Sequence, residues 1–255
     1  MYPYYGYRIG VKSEINIPLL TNICDHAINS ATLKVNFLDS ISHSVGRRIN
    51  ESLYIDSQNY ITLNIPNICT YKITDEQILV SPYESTDTLT ILNYLVSMAI
   101  PYFLAKRGIV ILRGCSFTED GESASLLLGV SSVGKSTFTA SFAQKNHKIL
   151  SDQYCILSIE NNAVFVTPAF SNIKLLLQAT RKLKINIEEF LKVQPGLNRF
   201  YWESPFCNKK FAIKNISKIK EQNLESDDLF ETIKGINKIK LLQDSGFGSN
   251  LFREE

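Results

Sequence analysis

The chain has 255 residues, of which 44% are hydrophobic and 20% are charged, and its formal net charge is +2. This length and apolar fraction are enough for a sizeable core, and they exclude a disordered or low-complexity protein. The small net charge gives no general reason to expect binding to nucleic acid or to a membrane.

The first third of the chain is patterned as short β-strands. Its apolar residues alternate with polar ones and are often β-branched, as in half-buried strands. The predicted strands cover residues 32–38, 60–65, 69–73 and 77–81. Four tyrosines near the start fit either an edge strand with aromatic side chains on one face or the lining of a peptide groove: Tyr2, Tyr4, Tyr5 and Tyr7. Residues 1–12 lack the basic start and apolar run of a signal peptide.

The most apolar segment, residues 89–105, predicts a buried helix. It is shorter than the roughly 20 residues that cross a bilayer. Three residues also interrupt its apolar character: Asn93, Ser97 and Pro101. Candidate N-caps precede it at Ser85, Thr86 and Asp87, and a stop signal follows at Arg107 and Gly108. We therefore expect a soluble protein without a membrane span.

The rest of the chain alternates strands with helices. Predicted strands cover residues 109–114, 115–118, 124–129, 148–150, 154–159, 163–166 and 211–216. Predicted helices cover residues 135–145, one or two segments within 174–193, and residues 226–242. The expected fold class is α/β, with a β-rich N-terminal region at residues 1–106 and a second domain at residues 107–255.

Residues 129–137, with the sequence GVSSVGKST, match the pattern G-x-x-x-x-G-K-[ST]. Small residues allow the backbone N–H groups to surround phosphates, and the start of the following helix adds its positive end. In this pattern Lys135 reaches the β- and γ-phosphates, and Ser136 binds magnesium. An apolar strand precedes the motif and a helix follows it, which favours a phosphate-binding loop over a glycine turn with an exposed lysine. The candidate nucleotide-binding residues are Gly129, Ser131, Ser132, Val133, Gly134, Lys135, Ser136 and Thr137.

Asp152 lies 17 positions after Lys135, a distance that leaves room for one helix and one short strand. We expect the strand at residues 148–150 to return beside the strand of the phosphate loop. Asp152 would then lie at its end and face the phosphates, where a carboxylate binds magnesium or accepts a proton from an attacking hydroxyl. The alternative is an ordinary aspartate in a turn.

Residues 129–153, GVSSVGKSTFTASFAQKNHKILSDQ, resemble the catalytic domain of HPr serine kinase/phosphorylase. They are still more similar to the smaller kinases that phosphorylate precursor peptides in lasso-peptide biosynthesis. The resemblance extends to residues 107–116 and 167–176. It implies a phosphoenolpyruvate-carboxykinase-like P-loop kinase core at residues 107–255. It also implies ATP and Mg²⁺ as cofactors, and transfer of a phosphoryl group to a serine of a peptide or small protein. The cytoplasm is the expected location because the widely spaced cysteines indicate reduced thiols.

The resemblance also implies roles for individual residues. Lys135 would hold the β- and γ-phosphates, Ser136 the magnesium ion, and Thr137 would support the phosphates. Asp152 would act as general base toward the serine. The glycine-rich segment used for phosphorylase activity and HPr docking has no counterpart here, which argues against the bifunctional enzyme.

Two residues depart from the pattern of the family. A second aspartate normally follows the first, but this chain has Gln153, which neither neutralises a metal nor acts as a base. A histidine is usual on the strand two before the loop, and Arg113 occupies that place. Arg113 either pairs with a phosphate or is a surface arginine at a strand end. The departures leave two alternatives open, a non-catalytic nucleotide sensor and a small-molecule kinase.

Other features favour no separate site. The five cysteines have no metal-ligand or redox spacing, which predicts reduced thiols: Cys24, Cys69, Cys115, Cys155 and Cys207. His26, His43 and His147 share no spacing. Residues 181–220 hold ten basic and three acidic side chains, which favour a solvated face or a positive wall near the nucleotide over a nucleic-acid surface. The sequence does not indicate an oligomeric state.

Overall fold

The computed structural model describes residues 2–7, 9–22, 32–42, 46–169, 172–188, 190–207, 209–220, 230–231, 233–248 and 251. These residues form a mixed α/β fold and divide into two compact units. The first unit runs to Ile109 and includes residues 193–196, 248 and 251. The second runs from Val110 to Lys192 and from Leu197 to Phe247. The division expected from the sequence, between residues 106 and 107, does not include this return of later residues to the first unit.

A nine-stranded sheet makes up most of the first unit. Its strands are β1 (Tyr2–Gly6), β2 (Ile9–Ser13), β3 (Thr21–Asn22), β4 (Thr32–Phe37), β5 (Gly46–Asn50), β6 (Leu53–Asp56), β7 (Ile61–Ile65), β8 (Cys69–Ile73) and β9 (Gln77–Pro82). Their order is β3-β1-β2-β4-β9-β8-β7-β6-β5, with β4 parallel to both of its neighbours. The strands predicted from the alternating pattern are confirmed as β4, β7, β8 and β9.

The tyrosine-rich start of the chain is not an edge strand, because β1 pairs with β2 on one side and with β3 on the other. Tyr4 and Tyr7 are buried. The Tyr4 hydroxyl donates to Asn16 Oδ1, and the Tyr7 hydroxyl donates 2.8 Å to the carbonyl of Val96. These two tyrosines therefore belong to the core of the unit rather than to a peptide groove.

The apolar helix is confirmed as one helical segment with a change of pitch. It consists of α1 (Thr88–Tyr94), a π-helical turn at Leu95–Ala99 and α2 (Ile100–Lys106). Asp87 is the N-cap, and its carboxylate accepts from the backbone N–H of Thr90 at 2.8 Å. The segment Thr88–Lys106 is long and apolar enough to cross a membrane, but 78% of its most apolar window is buried inside the fold. Such burial is typical of the core helix of a soluble protein.

The second unit combines a seven-stranded sheet with a separate hairpin. Its strands are β10 (Val110–Thr118), β11 (Ser123–Leu128), β12 (Lys148–Ser151), β13 (Tyr154–Glu160), β14 (Ala163–Thr167), β15 (Asn172–Leu176), β16 (Arg199–Glu203), β17 (Phe211–Ile219) and β18 (Phe230–Glu231). β15 and β16 pair only with each other among the described strands. The helices are α3 (Lys135–Gln144), α4 (Leu177–Lys182) and α5 (Asn237–Ser245).

The strand order corrects the expected position of residues 148–150. β12 pairs with β10 rather than with β11, so β10 lies between them. Both pairings are antiparallel, and β11 and β12 therefore run in the same direction. Because the carboxyl ends of strands that run in one direction lie at the same edge of a sheet, Gly129 and Asp152 still follow their strands at one edge.

Two predicted helical regions are confirmed only in part. Residues 172–176 form β15, and helix in the predicted region is limited to α4. An apolar run such as residues 173–177 fits a buried strand as well as a helix, and pairing with β16 decides the outcome. The helix predicted at residues 226–242 begins only at Asn237, after Gly235 with φ +55°. Residues 230–231 form the strand β18 instead, and residues 226–229 and 232 lie outside the described residues. Residues 109–118, predicted as two strands, form the single strand β10.

Candidate functional site

The glycine-lysine motif lies between a buried strand and a helix. Every residue of β11 from Leu126 to Leu128 is buried, between β10 and β17. Residues 129–134 then form a loop, and α3 begins at Lys135. Gly134 has φ +102°, a left-handed conformation that L-residues rarely adopt, and Gly129 has φ +149°. The local structure therefore has the strand–loop–helix form that the sequence motif predicts.

Lys135 folds back over this loop. Its Nζ donates to the carbonyl oxygens of Gly129 at 2.8 Å and Val130 at 2.7 Å. Burial lowers the pKa of Lys135, while the nearby Asp152 raises it. The ammonium group is thus held at the loop, and an anion bound there would compete with the carbonyls for its protons.

The other residues predicted to bind the nucleotide lie in this loop or in the first turn of α3. Ser131 and Ser132 are exposed, and Ser132 has φ +67°. Val133 packs against the apolar core between α3 and the sheet. Thr137 lies half-buried in the first turn of α3. The exposed backbone of this loop and the start of α3 are suited to an anion, because the first N–H groups of a helix have no partner within the helix.

Asp152 joins the loop to two neighbouring elements. It follows β12 directly, and only 3% of its surface is exposed. Its Oδ2 accepts from the Ser136 hydroxyl at 3.1 Å and from the backbone N–H of Lys174, also at 3.1 Å. Its Oδ1 accepts from Cys115 Sγ at 3.5 Å. The structure therefore brings together Ser136 and Asp152, the two residues predicted from the sequence to bind metal.

Burial raises the pKa of Asp152 above its ordinary value, because the charged form is poorly solvated. The Lys174 N–H, the Ser136 hydroxyl and the Cys115 thiol act in the opposite direction by donating to the carboxylate. A buried carboxylate is costly unless a cation or several donors compensate it. Asp152 is thus a buried carboxylate with a raised pKa, and such perturbed carboxylates are common at functional sites.

Sequence reasoning missed Lys174, which it assigned to the start of a helix. Lys174 lies on β15 with 8% of its surface exposed. Burial lowers its pKa to about 7, the charge of Asp152 raises it, and Arg199 lowers it further. Its Nζ lies 5.5 Å from the centroid of the Tyr201 ring. The signal that could have revealed it is a single lysine in the otherwise apolar run of residues 173–177.

Cys115 was also missed. Its thiol is fully buried and donates to the backbone carbonyl of Asp152 at 2.8 Å. Burial raises the pKa of Cys115 well above its ordinary value, and the charge of Asp152 raises it further. Since the thiolate is the nucleophilic form, this environment makes Cys115 a donor that orients Asp152 rather than a nucleophile.

Arg113 and Gln153, the two departures from the family pattern, have different surroundings. Arg113 is exposed, and its guanidinium carbon lies 5.3 Å from the centroid of the Phe247 ring. The hydrogen bonds of Asp152 do not include it. Gln153 accepts from the Gly114 N–H through its backbone, but its Oε1 is buried without a hydrogen-bond partner among the described atoms.

Among the residues that the structure describes, the other features singled out from the sequence form no second site. His147 stacks on Phe142 with ring centroids 5.0 Å apart, and His26 and His43 lie outside the described residues, as does Cys24. In the basic segment 181–220, Lys210 pairs with Glu160, and Lys218 pairs with Glu231 at 2.7 Å.

Within the described ranges, no group of three or more His, Cys, Asp or Glu residues is placed to hold a metal. Cavities of about 530 and 380 Å³ are lined by first-unit residues and contain none of the candidate residues.

The site fits a magnesium–nucleotide complex better than a metal held by protein alone. Mg²⁺ is usually bound by one or two protein oxygens together with waters and substrate phosphates. Ser136 Oγ, in the first turn of α3, and Asp152 Oδ2, directly after β12, supply two oxygens 3.1 Å apart. The loop residues before them and the ammonium of Lys135 would hold the phosphates.

Comparisons with known proteins assign no family. No protein-family model matches the chain. No curated protein matches it either. Among solved structures, the HPr(Ser) kinase/phosphatase from Coxiella burnetii is similar over 46% of this chain, with 16% sequence identity and a TM-score of 0.31. The match spans 65% of that enzyme, less than two thirds of its length.

Proposed function

We propose that this protein is an ATP-dependent phosphotransferase with Mg²⁺ as its metal cofactor, acting in the cytoplasm. The observation that supports the proposal most is the hydrogen bond from Ser136 to Asp152 at the start of α3. It joins the hydroxyl of a G-x-x-x-x-G-K-[ST] motif to a buried carboxylate from another strand. Phosphoryl transfer depends mainly on positioning and on neutralising charge, and these groups are suited to both.

Each residue has a defined task in this proposal. The loop at residues 129–134 and Lys135 bind the β- and γ-phosphates, and Thr137 supports them. Ser136 and Asp152 hold the magnesium ion, which neutralises phosphate charge when bound. Asp152 accepts the proton of the acceptor hydroxyl. The oxygen of that hydroxyl forms a bond to the γ-phosphorus, while the bond between the γ-phosphorus and the ADP leaving group breaks. Arg113 lies on β10 with its side chain exposed, and it is available to pair with a phosphate.

The acceptor that we propose is a serine of a peptide or small protein, and its support is the sequence resemblance of residues 129–153 to peptide-phosphorylating kinases. A nucleic-acid acceptor is disfavoured because part of the basic segment 181–220 is paired with acidic side chains. A small-molecule acceptor is the alternative that the experiment must separate from a peptide.

The test is incubation of the full chain with ATP and Mg²⁺, in separate reactions with a library of serine-containing peptides and with a panel of small hydroxyl compounds. Intact-mass spectrometry would report the gain of one HPO₃ group, with Asp152→Asn as the inactive comparison. Transfer to serine peptides would support the proposal. Transfer to small hydroxyl compounds alone would support a small-molecule kinase and contradict the peptide acceptor.

A non-catalytic nucleotide sensor is the second candidate, and Gln153 favours it. A neutral side chain with an unpartnered buried oxygen stands where a second carboxylate would serve catalysis. ATP binding by calorimetry without transfer to any acceptor would favour the sensor over the phosphotransferase.

A further inference from the structure

The aromatic ring of Phe230 lies beside the phosphate loop. Its strand β18 pairs with the end of β17, where the register places Phe230 opposite Ile219. On its other side β17 runs parallel to β11, and Lys218 pairs with Leu128, the residue before the loop. The carbonyl oxygen of Ile219 lies 3.4 Å from the position that a Cβ would take at Gly129. β18 is therefore two strand spacings, about 10 Å, from the start of the loop.

Phe230 is the exposed end of a row of aromatic side chains. Phe117 is buried, and its ring centroid lies 4.6 Å from that of Phe142, which in turn lies 4.6 Å from that of Phe138. Phe138 is in the first turn of α3, and its ring meets Phe230 at 5.4 Å with an interplanar angle of 88°. Phe230 has 43% of its surface exposed. Since an edge-to-face contact covers at most one face of a ring, Phe138 leaves a face of Phe230 open to another π-system.

We propose that Phe230 stacks on the base of the nucleotide whose phosphates the loop holds. This inference rests on the proposed function. The α-phosphate and the ribose separate the base of a nucleotide from its β-phosphate, so the surface that receives the base must lie beside the loop and not within it. Phe230 meets this condition, because β17 separates it from β11 and because its ring contacts the first turn of α3. Every base has a π-face, so stacking alone selects a nucleotide but does not choose between adenine and guanine.

The experiment measures the affinity of the full chain for two magnesium complexes by isothermal titration calorimetry, without turnover. The probes are the non-hydrolysable ATP analogue AMP-PNP and inorganic tripolyphosphate, of which only the first carries a base. We expect Phe230→Ala to weaken AMP-PNP binding about tenfold and tripolyphosphate binding less than about twofold. Phe165→Ala is the matched control, because Phe165 is a half-buried phenylalanine that pairs with Ala212 at the opposite end of β17. It should change neither affinity.

Two further variants separate stacking from ordinary packing. Phe230→Leu keeps an apolar side chain against Phe138 but has no π-face, and Phe230→Trp enlarges the aromatic surface. Stacking predicts weak AMP-PNP binding by Phe230→Leu and an affinity at or above that of the wild type for Phe230→Trp. AMP-PNP, but not tripolyphosphate, should quench the fluorescence added by Phe230→Trp, relative to the wild type with its single Trp202. If Phe230→Ala does not fold, these two variants decide the question.

A ring that only covers the core predicts another result. Phe230→Ala would then lower the unfolding temperature and weaken both probes equally or neither, and either outcome overturns the inference. A wild-type protein that binds neither probe would contradict both the inference and the proposed function. A wild-type protein that binds both probes, while Phe230→Ala and Phe230→Leu keep full affinity for AMP-PNP, would contradict the inference alone.

Discussion

Ser136 and Asp152 are 16 positions apart in the sequence, yet the serine hydroxyl donates to the aspartate carboxylate at 3.1 Å. This contact joins the first turn of α3 to the residue that follows β12, a strand that β10 separates from β11. It requires both the strand order of the second unit and the close packing of α3. The most informative substitutions are therefore those that remove one partner of this pair.

The first prediction concerns metal dependence. Ser136→Ala removes one proposed oxygen ligand of magnesium, and Asp152→Asn removes the negative charge of the other; we expect each to lower transfer by at least about 100-fold. Both variants should still bind ATP in EDTA, because Lys135 and the loop are intact. Thermal unfolding with ATP, measured with and without Mg²⁺, should show the extra stabilisation by Mg²⁺ in the wild type only. Retention of this increment in both variants would contradict the assignment.

A second prediction separates phosphate binding from folding. Lys135→Met removes the ammonium that now donates to the carbonyls of Gly129, which is half-buried, and Val130, which is exposed. We expect an unfolding temperature close to that of the wild type, and ATP affinity reduced at least about 30-fold. Lys145→Met, at the other end of α3, is the control and should bind ATP normally. An equal loss of ATP affinity in Lys135→Met and Lys145→Met would indicate a general effect of positive charge rather than a phosphate site at Lys135.

Much of the second unit could be predicted from the sequence because its signals are local. The motif at residues 129–137 and the apolar strand before it predicted the loop and α3, and Asp152 was predicted to face the phosphates and to share a magnesium ion with Ser136. The position of β12 beyond β10 was not predictable, since strand order depends on long-range pairing. Lys174 was missed for the same reason. Its burial on a strand depends on pairing with β16, which lies more than twenty residues away and carries no motif.

The third prediction concerns the conformation of the loop. Gly134 has φ +102°, so Gly134→Ala forces an L-residue into a strained conformation although its Cβ would meet no atom within 4 Å. Gly121, in the turn before β11, has φ +74° and equally open surroundings, which makes Gly121→Ala the matched control. Each change should lower the free energy of unfolding by about 1 kcal/mol.

Only the loop variant should lose ATP binding. A relaxed backbone at residue 134 would turn the N–H groups at the start of α3 away from the phosphates. Calorimetry on both variants separates a specific loss of ATP binding from a general loss of stability, because backbone strain alone should affect Gly134→Ala and Gly121→Ala equally. Normal ATP binding by Gly134→Ala would show that the left-handed conformation is not needed for the site.

The fourth prediction concerns the thiols around the site. Cys115 and Cys155 are fully buried, and burial raises the pKa of Cys155 to about 12. Between pH 7 and pH 9 both thiols therefore stay protonated in the folded protein, and alkylation by iodoacetamide should be at least about 100-fold slower than in the unfolded chain. Cys207 is half-buried and should react first among the described cysteines. Peptide mapping after timed labelling reports each position separately. Rapid native labelling of Cys115 would mean that the thiol facing Asp152 is open to solvent, and it would remove the buried environment to which the raised pKa of Asp152 is attributed.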